Sequence, residues 1–203
     1  MATNLDLFAY LAAFVSVILA LAVSDWVQSL HRLIRARKKV RWSLVAFLAA
    51  FLVFNAILEE FFSLWRLTGV ERFTYVDLLV LIFPPIMLSL AAMAVFPDEI
   101  PTEGIDLAQH YMDNRCLVYL LLSFWVVGEI LKVMDFHQVI TGRSASVGEV
   151  ASVFPWQTIP VLMLFALMAW SKNMRLQLAG LVVALVLVTG SLVQRSLGVV
   201  HAT

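Results

Sequence analysis

The chain has 203 residues, of which 62% are hydrophobic and 14% are charged, and its mean hydropathy is +0.92. A soluble domain has about 45–50% apolar and about 25% charged residues, so this composition excludes a soluble globular domain and predicts a polytopic membrane protein. The 14 Lys and Arg residues balance the 14 Asp and Glu residues, and without a basic excess we expect no nucleic-acid partner. Because Cys116 is the single cysteine, an internal disulfide and a CxxC redox or zinc pair are also excluded.

Six apolar stretches are each long enough to cross a bilayer as a helix, which needs about 20 residues. They lie at residues 5–24, 42–65, 74–96, 115–136, 147–170 and 176–195. They predict an all-α, polytopic transmembrane bundle of six spans, with residues 1–203 forming a single integral membrane domain. The N-terminus has no basic segment and no small-residue cleavage site, so we expect the first stretch to be a retained span. Short loops throughout favour a location in the bacterial inner membrane.

The segment between the first two spans is strongly basic. It contains Arg32, Arg35, Arg37, Lys38, Lys39 and Arg41. Basic loops face the cytoplasm, so we expect this loop inside and both termini outside, a topology denoted N-out/C-out. The first helix is expected to continue past Ser24 as an amphipathic extension, which places Arg32, Arg35, Lys38 and Lys39 against anionic lipid headgroups.

The longest connection, at residues 97–114, is acidic. It carries Asp98, Glu99, Glu103, Asp106 and Asp113, and we expect a short surface helix between Ile105 and Met112. In the six-span topology this connection lies on the same side as the basic loop. Two interpretations are therefore open, one in which the two loops dock and one in which the acidic loop is solvated.

Prolines and small residues give further expectations about packing. Pro84 and Pro85 each lack a backbone donor and clash with the preceding turn, so we expect the third span to kink or break there. Small residues recur every fourth position in the first span, at Ala12, Ser16, Ala20 and Ser24, and again at Gly180 and Ala184 in the sixth. Such faces let helices approach closely, and they predict a homo-oligomer or a complex with a partner membrane subunit.

Polar side chains interrupt the apolar spans at one depth. With a rise of 1.5 Å per residue across a slab of about 30 Å, they fall in the outer half of the bilayer. They are Asn55, Glu59, Glu60, Asp77, Glu129, Lys132 and Gln157. Because a charge in hydrocarbon costs about 2.5–3.5 kcal/mol, we expect these residues to surround one outward-facing polar site that binds an ion or ligand. The alternative is that they only pair with one another and with Arg66, or extend to nearby headgroups.

This pattern favours a small membrane channel or transporter for protons, cations or a small polar solute, with Glu59, Glu129 and Lys132 lining the site. The alternative is a non-catalytic accessory or scaffold subunit of a larger membrane complex. The sequence has no HExxH, GxSxG or Walker motif, and its histidines fall at span ends, in loops or at the tail. We therefore predict no catalytic residue, no metal and no cofactor, with an intramembrane enzyme of unfamiliar type as a third hypothesis.

The predicted topology is tested by single cysteines introduced as Lys38→Cys and Arg143→Cys in a Cys116→Ser background. Three predicted spans separate the two positions, so a membrane-impermeant maleimide should label them from opposite sides. Position 143 should react in intact cells, and position 38 only after the membrane is permeabilised. Labelling of both positions from one side would contradict the six-span topology.

Overall fold

A computed structural model describes the backbone of residues 4–64, 74–141 and 158–200, and the side chains of residues 8–64, 74–136 and 158–190. In these ranges the chain forms six α-helices and two short strands. The helices are α1 (Asn4–Arg35), α2 (Leu44–Ser63), α3 (Tyr75–Val95), α4 (Leu107–Thr141), α5 (Thr158–Trp170) and α6 (Met174–Val200). The strands are β1 (Val40–Arg41) and β2 (Ile105–Asp106), and a 3₁₀ turn covers Arg37–Lys39. The predicted all-α class is confirmed.

Four helical segments among the described residues are long and apolar enough to cross a membrane. They are Phe8–Arg35, Leu44–Ser63, Tyr75–Val95 and Leu107–Phe136. These segments mark the chain as a membrane-embedded protein. The number of crossings and their direction stay predictions, and residues 147–157 of the fifth predicted span lie outside the described residues.

Helix α2 lies at the centre of the bundle, where it packs against α1, α3, α4 and α6. Its buried face is rich in small side chains, including Ala46, Ala49, Ala50 and Ala56. Small side chains bring helix backbones close together, which is how helices associate when lipid gives no hydrophobic drive. Around this centre, α3 packs extensively on α4, while α1 covers α3 and α5 covers α4.

Helix α1 packs through its larger side chains. Leu11, Val15 and Leu19 are buried, whereas Ala20 and Ser24 of the predicted small-residue face are exposed. That face is therefore not packed within the chain. In α6 the small residues do pack within the chain, since Gly180 and Ala184 are both buried and a Cβ on Gly180 would lie 2.6 Å from the Met168 sulfur. The oligomer or partner complex that these faces predict stays a prediction.

Helix α4 begins earlier than predicted. The carboxylate of Asp106 accepts hydrogen bonds from the backbone nitrogens of Ala108 at 2.9 Å and Gln109 at 3.3 Å. Asp is a favoured N-cap residue because it satisfies amides that have no partner inside the helix. The expected surface helix and the fourth span are consequently one continuous helix of 35 residues.

The basic and acidic loops are joined, which is the docked interpretation of the two. Strands β1 and β2 pair in parallel, with Val40 opposite Ile105 and Arg41 opposite Asp106. The Arg41 Nη1 to Asp106 Oδ2 distance is 3.2 Å, although the Arg41 side chain is 84% exposed, so this ion pair adds little stability. Gly104 precedes β2 with a φ of +97°, and a Cβ there would lie 2.5 Å from the Lys39 carbonyl oxygen, so glycine is needed at this position.

The proline pair does not break α3. The helix runs from Tyr75 to Val95 with Pro84 and Pro85 buried inside it. On the facing helix α4, a Cβ added to Gly128 would lie 2.7 Å from Pro84 Cγ and 3.0 Å from Phe83 Cδ1. Of the expected kink or break, the break is wrong and the kink stays a prediction, and this region forms a close contact between α3 and α4.

The close contact at Gly128 predicts a stability difference between two glycine substitutions. Gly128→Ala forces a methyl group against the Pro84 ring, so the free energy of unfolding should fall by about 1–3 kcal/mol, as for other overpacked cores. Gly190→Ala is the matched control, because no atom lies within 4 Å of its added Cβ. Thermal or denaturant unfolding in detergent measures both. Equal stability of the two variants would contradict the close approach.

Candidate functional site

A buried cluster of acidic and basic groups joins α2 to α4 and is the candidate functional site. Lys132 Nζ lies 2.6 Å from Glu60 Oε1 and donates a hydrogen bond to Ser63 Oγ at 3.1 Å. The same ammonium group forms an ion pair with Glu129. The Trp125 indole donates to Glu60 Oε2 at 3.2 Å. We call these five residues the acid–lysine cluster.

The helical repeat explains why these side chains meet. Trp125, Glu129 and Lys132 are spaced four and three residues apart, so they share one face of α4. Glu60 and Ser63 are three apart in the last turn of α2, where Ser63 Oγ donates to the Glu60 carbonyl oxygen at 2.8 Å. The Ser63 hydroxyl therefore donates within its own helix and accepts from Lys132.

The cluster is almost fully removed from solvent. The side chains of Glu60, Lys132 and Glu129 are 0%, 6% and 12% exposed. An ammonium group has three N–H donors, and Glu60, Ser63 and Glu129 give Lys132 three partners. Burial of these charges in a membrane bundle is tolerated because each one is paired.

The cluster contains one more acid than base. If Glu60 and Glu129 were both ionised, Lys132 would leave one negative charge uncompensated in a medium of low dielectric constant. The carboxyl groups of Glu60 and Glu129 both pair with the Lys132 ammonium group, so they lie close together, and two like charges at such a distance disfavour simultaneous ionisation. The neutral state of the cluster thus holds one exchangeable proton.

The structure brings together three of the residues predicted from sequence, Glu60, Glu129 and Lys132. The α2 carboxyl that pairs with Lys132 is that of Glu60, whereas the sequence analysis favoured Glu59 as the α2 carboxyl that lines the site. Glu59 is buried at 6% exposure one residue earlier. Adjacent residues on a helix point about 100° apart, so the rotation of α2 against α4 decides which glutamate faces the lysine.

Two other predicted residues have local structural contacts. Asn55 is buried and its amide donates to the Phe51 carbonyl oxygen at 2.9 Å. Asp77 forms a capping box with Thr74: its Oδ2 accepts from the Thr74 nitrogen at 2.6 Å, and its own nitrogen donates to Thr74 Oγ1 at 3.3 Å. Asp77 therefore caps the N-terminus of α3 together with Thr74, and the Thr-x-x-Asp spacing is a sequence signal for this role. Gln157 and Arg66 lie outside the described residues.

The predicted headgroup-binding residues are on the surface. Arg32, Arg35, Lys38 and Lys39 are all exposed at the end of the bundle opposite to the acid–lysine cluster. The Arg32 guanidinium donates to Ser29 Oγ at 2.8 Å. This placement suits contact with lipid headgroups, and the contact itself stays a prediction.

A second buried polar group was not anticipated from the sequence. The hydroxyl oxygens of Tyr111 and Tyr119 are 2.6 Å apart, and the Tyr111 hydroxyl donates a hydrogen bond to Gln177 Oε1 at 2.5 Å. The Gln177 amide nitrogen donates to the carbonyl oxygens of Met168 at 2.6 Å and Ser171 at 2.8 Å. The sequence signal was a lone glutamine in an apolar run. These bonds tie α4 to the α5–α6 connection.

The fold and the cluster together define a helical membrane protein with an ionisable site inside its bundle. Comparison of the chain with models of protein families, with curated proteins and with solved structures finds no match. The roles proposed for its residues therefore rest on their geometry.

The pairing of Glu60 with Lys132 predicts strong energetic coupling. Glu60→Gln and Lys132→Met should each lower the free energy of unfolding by about 1.5–3 kcal/mol, the range for hydrogen bonds to charged groups. The double variant should lose less than the sum of the two, with a coupling of about 0.5–3 kcal/mol. Denaturant unfolding in detergent measures this cycle. Glu103→Gln, in the exposed acidic loop, combined with Lys132→Met should be additive, and additivity in both cycles would contradict the ion pair.

Proposed function

We propose that the protein is a small integral membrane transporter or channel that moves protons, or another small cation, through the acid–lysine cluster. The observation that carries this proposal is that two buried carboxyl groups share a single ammonium group between membrane helices. Such a cluster gains or loses one positive charge at modest cost, because a neutral and a charged state differ by one proton. Binding or release of a proton or another small cation by the cluster therefore changes the charge of the cluster by one.

A role in packing alone explains the cluster poorly. Replacing a buried ion pair by apolar side chains is often neutral or stabilising, so stability by itself gives little reason to keep three ionisable groups in the bundle. Ionisable residues inside membrane segments are typical of proton relays and ion pathways. The chain places these groups at the end of its most central helix, where α2 meets α4.

The three ionisable groups have different roles in this proposal. Glu60 is held by both Lys132 and Trp125 and is fully buried, so it acts as the fixed acceptor. Glu129 is the most exposed of the three at 12% and is the group that exchanges the proton with the outside of the cluster. Lys132 supplies the positive charge that keeps one carboxylate ionised while the other is protonated.

Topology completes the proposal. In the predicted bacterial inner membrane, with six spans and both termini outside, the cluster exchanges protons with the outer face.

The alternative function is that of an accessory or scaffold subunit, in which the cluster only holds α2 and α4 together. One observation favours that alternative: all three donors of Lys132 already have partners.

Flux measurements on proteoliposomes test the transport proposal. Purified protein is reconstituted with a pH-sensitive dye inside, and a potassium diffusion potential drives protons inward. Glu129→Gln keeps the size of the side chain and its capacity for hydrogen bonds but cannot release a proton. The rate of acidification should therefore fall at least about 100-fold, the smallest effect typical of a positioned proton-transfer group.

Glu99→Gln is the matched control, because this carboxylate is exposed in the acidic loop, and its flux should equal that of the native chain. Absence of flux in the native protein, or equal flux in Glu129→Gln and the native chain for protons and for sodium and potassium ions, would overturn the proposal in favour of the structural tie.

A further inference from the structure

A groove lies on the outer surface of the bundle between the end of α3 and the beginning of α4. Its volume is about 370 Å³, within the range of small-molecule sites. Its apolar walls include Leu90, Met93, Leu117 and Leu121. The first three of these are exposed, so the groove opens to the surroundings of the bundle, which beside these apolar segments are the acyl chains of the bilayer.

The other end of the groove is polar. Asp98, His110 and Asn114 line it. Asp98 follows α3, which ends at Val95, and His110 is in the first turns of α4. The polar end therefore lies where these two helices leave the apolar layer, at the depth of lipid headgroups. The groove thus matches the two parts of a phospholipid: its polar end lies at headgroup depth, and its apolar part lies towards the bilayer centre, where acyl chains are found.

The polar end presents hydrogen-bond acceptors. The two ring nitrogens of His110 lie 3.3 Å and 3.4 Å from the Asn114 amide nitrogen, so the two side chains hold each other at this end of the groove. The Asn114 amide nitrogen donates to the His110 carbonyl oxygen at 3.1 Å, which leaves Asn114 Oδ1 as an acceptor. Asp98 adds a carboxylate that has no ion-pair partner within residues 8–64, 74–136 and 158–190.

We propose that this groove binds a phospholipid whose headgroup carries a primary ammonium group, as phosphatidylethanolamine does. Such an ammonium has three N–H donors, which match the two oxygens of the Asp98 carboxylate and Asn114 Oδ1. One acyl chain lies along the leucine and methionine walls. A trimethylammonium headgroup has no N–H to donate, and a headgroup with only negative charge is repelled by Asp98, so the site selects ethanolamine over choline and glycerol headgroups. This proposal is independent of transport.

Native mass spectrometry of the full-length protein tests the site. The protein is released from mixed micelles containing equal amounts of dioleoyl phosphatidylethanolamine, phosphatidylcholine and phosphatidylglycerol, and the lipids retained by each molecule are counted. We expect the ethanolamine lipid to be retained roughly tenfold over the choline lipid, as charge-assisted hydrogen bonds require. Equal retention of these two lipids by the native chain would overturn the proposal.

Two carboxylate variants locate the preference. Asp98→Asn should abolish it, whereas Glu99→Gln, which removes the same charge from the next exposed residue, should retain it. Both positions are exposed, so neither change should alter the helical circular dichroism. Preference unchanged in Asp98→Asn would overturn the assignment of the groove, and so would a lipid-free dimer of the native chain, which would indicate that a second copy covers this face.

Discussion

The cost of removing an ammonium group from water dominates this structure. Lys132 is buried at 5% exposure, and a charge at such a position is retained only when strong partners surround it. Those partners come from α2 and from the preceding turn of α4, so the two helices must meet at one rotation and one height. Ion pairs and hydrogen bonds are directional, whereas apolar packing is not. The contact therefore fixes the rotation and height of α2 against α4, which apolar contacts alone would leave less defined.

The opposite end of the bundle has a polar tie of its own. Tyr111 and Gln177 connect α4 to the α5–α6 connection, and Arg115 Nε donates to the Ser171 carbonyl oxygen at 3.1 Å. Between the two ends the helices are held by close apolar contacts such as Gly128 against Pro84. The polar contacts at both ends and the apolar packing between them restrict sliding and rotation of the helices. Of these two polar contacts, the one at Lys132 contains carboxyl groups.

Sequence reasoning succeeded where a single helix determines the outcome. The apolar stretches predicted the ends of α2 and α3 to within two residues, and the common depth of the polar residues predicted that Glu60, Glu129 and Lys132 lie together. It failed where the outcome depends on neighbours: the choice of Glu60 over Glu59 depends on how α2 is rotated, and the buried face of α1 depends on the shape of α3. The early start of α4 and the cap at Asp77 had local signals, Asp106 and the Thr-x-x-Asp spacing, but Asp106 also belongs to an acidic loop and Asp77 to a layer of polar residues, and these larger patterns favoured other roles.

The parallel pairing of β1 and β2 also constrains the order of assembly. The two strands flank the α2–α3 pair, so β1 has no partner until both helices have been made and α3 has returned to its side of the bundle. At about 5–20 residues per second, the chain between Val40 and Ile105 takes roughly 3–13 s to synthesise. The two strands can therefore pair only once about half of the chain has been made, and their pairing then joins the two ends of the segment that contains α2 and α3.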